Sequence, residues 1–121
     1  MTTVRYLVTD VARSVAFYAD VLGFEEVERY GPAMAIVRLG DLDLWLAGPA
    51  SSAARPTPDG RQPGPGGWNR LVITTHDVAA LAGKLRDAGA TFRSDLVEGP
   101  GGTQIVVEDP SGNPIELFQP A

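Results

Sequence analysis

The chain contains no cysteine and one histidine, His76. The first absence removes disulfide scaffolds, thiolate nucleophiles, zinc fingers and iron–sulfur clusters together. The second leaves Ser-His-Asp catalysis only His76 to use and denies a single chain any multi-histidine metal site. Basic charge is scarce as well: 10 Lys+Arg face 15 Asp+Glu, a formal net charge of −5, which is the wrong sign for a nucleic-acid footprint. No apolar run approaches the ~20 residues a membrane span requires. The N-terminus, MTTVRYLVTDVARS, lacks the basic and apolar segments of an export signal, so a cytoplasmic protein is expected. What remains is 121 residues, 44% hydrophobic and 21% charged, the size and balance of one globular domain with its own core.

The one break in composition is PASSAARPTPDGRQPGPGG, residues 49–67, where no helix or strand pattern survives. It reads as a linker between a first unit, 1–48, and a second, 68–121, and the two halves read alike. Each opens with a β-rich run, Val4–Val8 and Leu71–Thr75, that ends at an Asp-Val pair. Asp10 and Asp77 can cap the helices that follow. The first helix spaces Val11, Val15, Tyr18 and Leu22 helically and stops at Gly23; the second spaces Val78, Leu81, Leu85 and Ala88 and stops at Gly89. Three β-like segments follow each helix: Phe24–Tyr30, Ala33–Leu39 and Leu42–Ala47, then Thr91–Val97, Thr103–Glu108 and Ile115–Gln119. Both halves are β-α-β-β-β units, and a lone unit of this kind covers only one face of its sheet.

DVARSVAFYADVLGF in the first half, with HDVAALAGKLRDAGA and EDPSGNPIELF in the second, resembles the vicinal oxygen chelate superfamily of glyoxalase I, extradiol dioxygenases and bleomycin-resistance proteins. The resemblance covers essentially the whole chain. It implies an α+β fold in which two tandem βαβββ units form a curved, half-barrel-like mixed sheet around a shared cavity, and it implies a homodimer. It also implies, for the enzymes, a divalent metal with two ligands from each unit. Those positions fall on Thr3, Trp45 (or, one register away, Asp43), Arg70 and Glu116. Only Glu116 is a competent ligand there. An arginine offers no lone pair and repels a cation, and two carboxylates with a hydroxyl beside an arginine make a poor transition-metal site. No metal and no cofactor are therefore expected, and with the metal goes the electrophile that enediolate or dioxygen chemistry uses.

Other catalytic readings are thin. His76 stands at a strand end before the helix cap, with no nucleophile or orienting partner in view. Glu25, Glu26, Glu28, Glu108 and Asp109 read as solvated strand and turn charges. Gly99-Pro100-Gly101-Gly102 joins two strands and reads as a turn, with no helix or lysine behind it to make a phosphate loop.

Side chains alternate faces along a strand. Val4, Tyr6, Val8, Leu44, Leu46, Leu71, Ile73, Ile115 and Leu117 form an almost wholly apolar phase that belongs under the helices. The opposite phase contains Arg5, Leu7, Asp43, Trp45, Arg70, Val72, Glu116 and Phe118, a mixture suited to a small-molecule pocket, with Trp68 at its rim. Two accounts of this phase stand side by side. In one, Trp45, Phe118 and Trp68 are stacking surfaces for an aromatic or cationic ligand. In the other, Trp45 and Phe118 fill space that a metal would occupy, and Arg70 and Glu116 form a structural ion pair. The expectation is a metal-free small-molecule binding protein that sequesters a hydrophobic or aromatic natural product or antibiotic, resembling the bleomycin-resistance branch. A glyoxalase- or dioxygenase-like or metal-independent enzyme of secondary metabolism is the alternative.

Overall fold

The computed structural model describes residues 1–121, which divide into two compact units, Met1–Pro65 and Gly66–Ala121. Unit 1 runs β1 (Thr2–Leu7), α1 (Val11–Ala16), a π-helical turn (Phe17–Val21), β2 (Glu25–Tyr30), β3 (Met34–Leu39) and β4 (Leu42–Ala47). Asp10 caps α1 by accepting a 3.0 Å bond from the Arg13 N–H, one of the donors a helix start leaves free. The strand order is β1-β4-β3-β2, with β1 parallel to β4 and the other pairs antiparallel. Helix α1 packs on β3 and β4. Ala35, Val37, Leu44 and Leu46 are buried on that side together with Val11, Val15 and Tyr18. Each large apolar side chain so buried contributes about 1.5–3 kcal/mol, so this face holds the unit together.

Unit 2 repeats the plan with β5 (Leu71–Thr74), α2 (Val78–Asp87), β6 (Val97–Gly99), β7 (Gly102–Glu108) and β8 (Pro114–Pro120), in the order β5-β8-β7-β6. Again the first and last strands are parallel and the rest antiparallel. Asp77 caps α2 through a 2.9 Å bond from the Ala80 N–H, and Gln119 Oε1 accepts another at 2.9 Å from Val78. Ile105, Val107, Ile115 and Leu117 are buried beside Val78, Ala82 and Leu85 of α2. The fold is the expected α+β pair of βαβββ units, each with a mixed four-stranded sheet. No helix is long and apolar enough to cross a membrane.

Two local readings are corrected. The first helix is not uniformly α: its second half is a π turn, closed by a Leu22 N–H bond to Phe17 O. The wider turn accompanies full burial of Tyr18, whose ring meets Phe17 at 5.4 Å and Phe24 at 5.3 Å, both edge-on. The segment expected as Thr91–Val97 is strand only from Val97. Phe92 makes a single bridge to Val107, and the Ser94 hydroxyl then takes the Val106 N–H at 3.0 Å, so a side chain replaces the backbone carbonyl that would have continued the ladder. The Pro/Gly-rich stretch holds a 3₁₀ turn, Ser52–Ala54, and is grouped with unit 1 as far as Pro65.

The turn reading of residues 99–102 agrees with the structure. Gly99 pairs with Gly102 across a two-residue connection. A Cβ at Gly102, whose φ is +150°, would overlap the Gln119 carbonyl oxygen, so that position needs glycine for its close approach to β8.

Candidate functional site

The helix-free face of unit 1 is set by strand register. Arg5 lies opposite Trp45, Trp45 opposite Ile36 and Ile36 opposite Glu28, one row across four strands. The Arg5 guanidinium carbon stands 5.0 Å from the centroid of the Trp45 ring, within cation–π range. Leu7 pairs with Ala47 and Thr3 with Asp43. Asp43 does not reach toward Arg5. It is held by Arg38, which donates from Nε at 2.6 Å and from its terminal nitrogen at 3.1 Å, the bidentate geometry that arginine offers a carboxylate.

Those hydrogen bonds from Arg38 hold the Asp43 carboxyl below the usual carboxylate range, against an opposing push from desolvation. Because the folded value lies below the unfolded one, the pair's stabilisation is present in full above the ordinary carboxylate pKa of about 3.9 and is lost as pH falls through the lower folded value. Arg38→Gln is expected to return the Asp43 titration toward the ordinary value in a carboxyl NMR titration. An unchanged midpoint would show that Arg38 is not the cause.

In unit 2, Val72 registers with Glu116 and Thr74 with Phe118. Arg70, just before β5, donates to Glu116 Oε1 from two nitrogens, at 3.1 and 2.8 Å, and to the Trp68 carbonyl at 3.1 Å. Both bonds to the glutamate fall on one oxygen, so Oε2 is left to accept from elsewhere. The side chains are 28% and 12% exposed, a pair partly shielded yet open to a ligand. Trp68 itself is 67% exposed, with the Arg93 guanidinium 4.5 Å from its ring centroid. Val72 is exposed and Phe118 half-buried.

The structure thus places Arg5 with Trp45, and Arg70 with Glu116, Val72 and Trp68. It separates Asp43 from Arg5. Sequence reasoning took the open face from the first and last strands of each unit and missed the strands beside them. Met34, Ile36 and Arg38 of β3 register with Ala47, Trp45 and Asp43, and Gln104 and Val106 of β7 register with Phe118 and Glu116. Alternation in MAIVRL, with small buried Ala35 and Val37 between them, is the signal that finds the first three.

Sequence reasoning also misjudged Glu108 and Asp109, read as solvated. Arg93 binds Glu108 at 2.7 Å and also donates to the carbonyls of Gly67 and Gly112. Asp109 is 4% exposed and organises the turn after β7. Its Oδ1 accepts from Ser111 N at 2.8 Å and Asn113 N at 2.9 Å, and its Oδ2 from Asn113 Nδ2 at 3.0 Å. Asn113 Oδ1 then accepts the Gly66 N–H at 2.9 Å. The turn and Arg93 together tie the incoming chain, and with it Trp68, to unit 2. His76 is exposed and lines a shallow hollow of about 330 Å³ with Thr74, Thr75, Gln119 and Pro120, and no hydrogen bond or ion pair joins it to a carboxylate.

Residues 1–117 match the Glyoxalase/Bleomycin resistance protein/Dioxygenase superfamily. The chain belongs to that superfamily. A virulence protein of Salmonella typhimurium, STM3117, is 28% identical over 116 residues, covering 93% of this chain and 78% of that protein. The crystal structure of TnmS3, an antibiotic binding protein from Streptomyces sp. CB03234, aligns with TM-score 0.74 at 26% identity over 98% of this chain and 93% of its own. That of a lactoylglutathione lyase from Agrobacterium tumefaciens aligns with TM-score 0.76 at 20% identity, over 98% and 92%, a likeness of fold alone.

The residues at the positions that the resemblance implies for a metal do not fit a divalent ion. Arg70 bonds the one good ligand, Glu116, Trp45 carries no lone pair to give, and Asp43 is engaged by Arg38. No group of three or more His, Cys, Asp or Glu side chains converges anywhere in the structure. A metal entering beside Glu116 would have to displace a guanidinium and sit next to its charge.

Proposed function

We propose that this protein binds a small, planar, hydrophobic aromatic molecule without a metal and sequesters it. The observation that carries the reading is what stands at the positions the resemblance implies for a metal: a ring under a guanidinium, Trp45 with Arg5, on one sheet, and an ion pair, Arg70 with Glu116, on the other. Sequestration needs affinity and shape, which an open sheet face with a flat ring, aliphatic neighbours and a few fixed polar groups supplies. It needs no acid, base or electrophile, and His76 has none of the partners that would make it a base. Similarity to TnmS3, an antibiotic binding protein, supports the same reading. The proposal extends to a homodimer, carried by the superfamily resemblance alone.

Titration of intrinsic fluorescence with a panel of planar aromatic antibiotics tests this. The two tryptophans, Trp45 and Trp68, are separated by a Trp68→Phe variant. Quenching that persists in that variant, together with a fall in affinity of about tenfold in Trp45→Ala, is expected from the loss of one stacking contact. If no compound changes the emission, and Trp45→Ala leaves resistance of an expressing strain unchanged, the reading is wrong.

A further inference from the structure

Among the arginines whose side chains lie on or beside the two sheets, Arg29, Arg38, Arg70 and Arg93 each hold a carboxylate, at 2.8, 2.6, 2.8 and 2.7 Å. Arg5 holds none. It is exposed, it sits over Trp45, and it makes no hydrogen bond or ion pair with the protein. In a chain of net charge −5 this is a local reversal of sign. Nor is a free acid close at hand: Asp43, in the neighbouring row of the same face, gives both oxygens to Arg38. The ring engages the guanidinium through its face alone, so the N–H donors of Arg5 are not used by the protein, and their planar fork matches the two oxygens of a carboxylate. Beyond Trp45 the row continues through Ile36 to the exposed Glu28, whose Oε1 accepts its neighbour Arg29's N–H at 3.2 Å. With strands about 4.8 Å apart, Arg5 and Glu28 mark the ends of a floor about 14 Å wide at the backbone.

Resting on the binding-protein reading, we propose that the ligand is an aromatic acid: a planar ring system bearing a carboxylate or similarly acidic group, its anionic end on Arg5 and its ring along the row over Trp45 and Ile36. The preference is for an anion, in spite of the protein's overall charge. A cationic ligand, which that overall charge favours, would meet an unpaired guanidinium at the Trp45 end and be repelled there.

Three matched probes decide it: 2-naphthoate, 2-naphthamide and 2-naphthylmethylammonium, titrated by calorimetry and by the Trp45 indole N–H resonance. The acid is expected to bind about tenfold more tightly than the amide, the ammonium more weakly than either, as follows from a charge-assisted bond at a partly exposed site. Arg5 is exposed on an edge strand, so Arg5→Gln folds. That variant is expected to bring acid and amide within about twofold of each other, and Arg5→Lys to restore part of the difference. If the probes bind but the amide matches the acid, or the ammonium binds best and Glu28→Gln abolishes that binding, the acid assignment is overturned while the binding function stands. If none of the three binds, the binding reading falls and takes this inference with it.

Discussion

Asp109→Ala is expected to destabilise the protein by about 2–4 kcal/mol, a fall in melting temperature of roughly 10 °C. The carboxylate is almost fully buried and accepts hydrogen bonds from two backbone N–H groups of its own turn and from the Asn113 amide. Removing it leaves those donors unpaired in a site closed to water, which costs more than the bonds themselves contributed. The damage should not stay local. Asn113, no longer held through Nδ2, loses the orientation in which its Oδ1 takes the Gly66 N–H, and the Pro/Gly-rich segment is released from unit 2. Faster proteolysis within residues 49–67, measured alongside thermal melting, is expected. Asp109→Asn, which keeps an acceptor oxygen, should fall between the variant and the wild type. A melting temperature within a degree or two of wild type for Asp109→Ala would show that the turn folds without its carboxylate.

Arg70→Met is the second large change, and it separates stability from function. Losing the guanidinium leaves Glu116 charged, 12% exposed and without its partner. The expected cost is about 1–3 kcal/mol, below the range for fully buried pairs because Arg70 is itself 28% exposed. Replacing both residues, as Arg70→Met with Glu116→Leu, removes the stranded charge and is expected to restore the stability of the wild type, since apolar isosteres commonly equal or exceed a shielded ion pair. If the pair is retained for ligand binding, the stable double variant binds aromatic probes several-fold more weakly, because Glu116 Oε2 and the remaining arginine donors are gone. A double variant that is stable and binds as wild type would make Arg70 and Glu116 a structural ion pair only, the second of the two accounts the sequence allows.

The parts of the fold legible in the sequence are those fixed by local pattern. The Asp-Val helix starts, the alternation of Leu44 and Leu46 against Asp43 and Trp45, and the matching halves are all short-range signals, and the structure agrees with each. The parts that were not legible depend on partners brought from far along the chain. Ile36 joins the Arg5 and Trp45 row only through the β3–β4 register, which no single strand encodes. Arg93, 26 residues from Gly67 along the chain, comes from a segment that is neither helix nor strand. Asp109 looked like a solvated acid because residue type does not reveal how many donors a turn directs at it. The π turn at Phe17 and the interruption at Ser94 follow from burying Tyr18 and from one hydroxyl, each a tertiary choice that overrides local propensity.

The central claim is that Glu116, engaged by Arg70, does not hold a divalent metal. Its most direct test is the metal content of protein purified without chelator and then equilibrated with Zn²⁺, Ni²⁺, Mn²⁺ or Fe²⁺, read by plasma mass spectrometry. The account predicts far less than one equivalent of any of these ions per chain, with no change in Glu116→Ala. One equivalent bound per chain, and lost in Glu116→Ala, would contradict it.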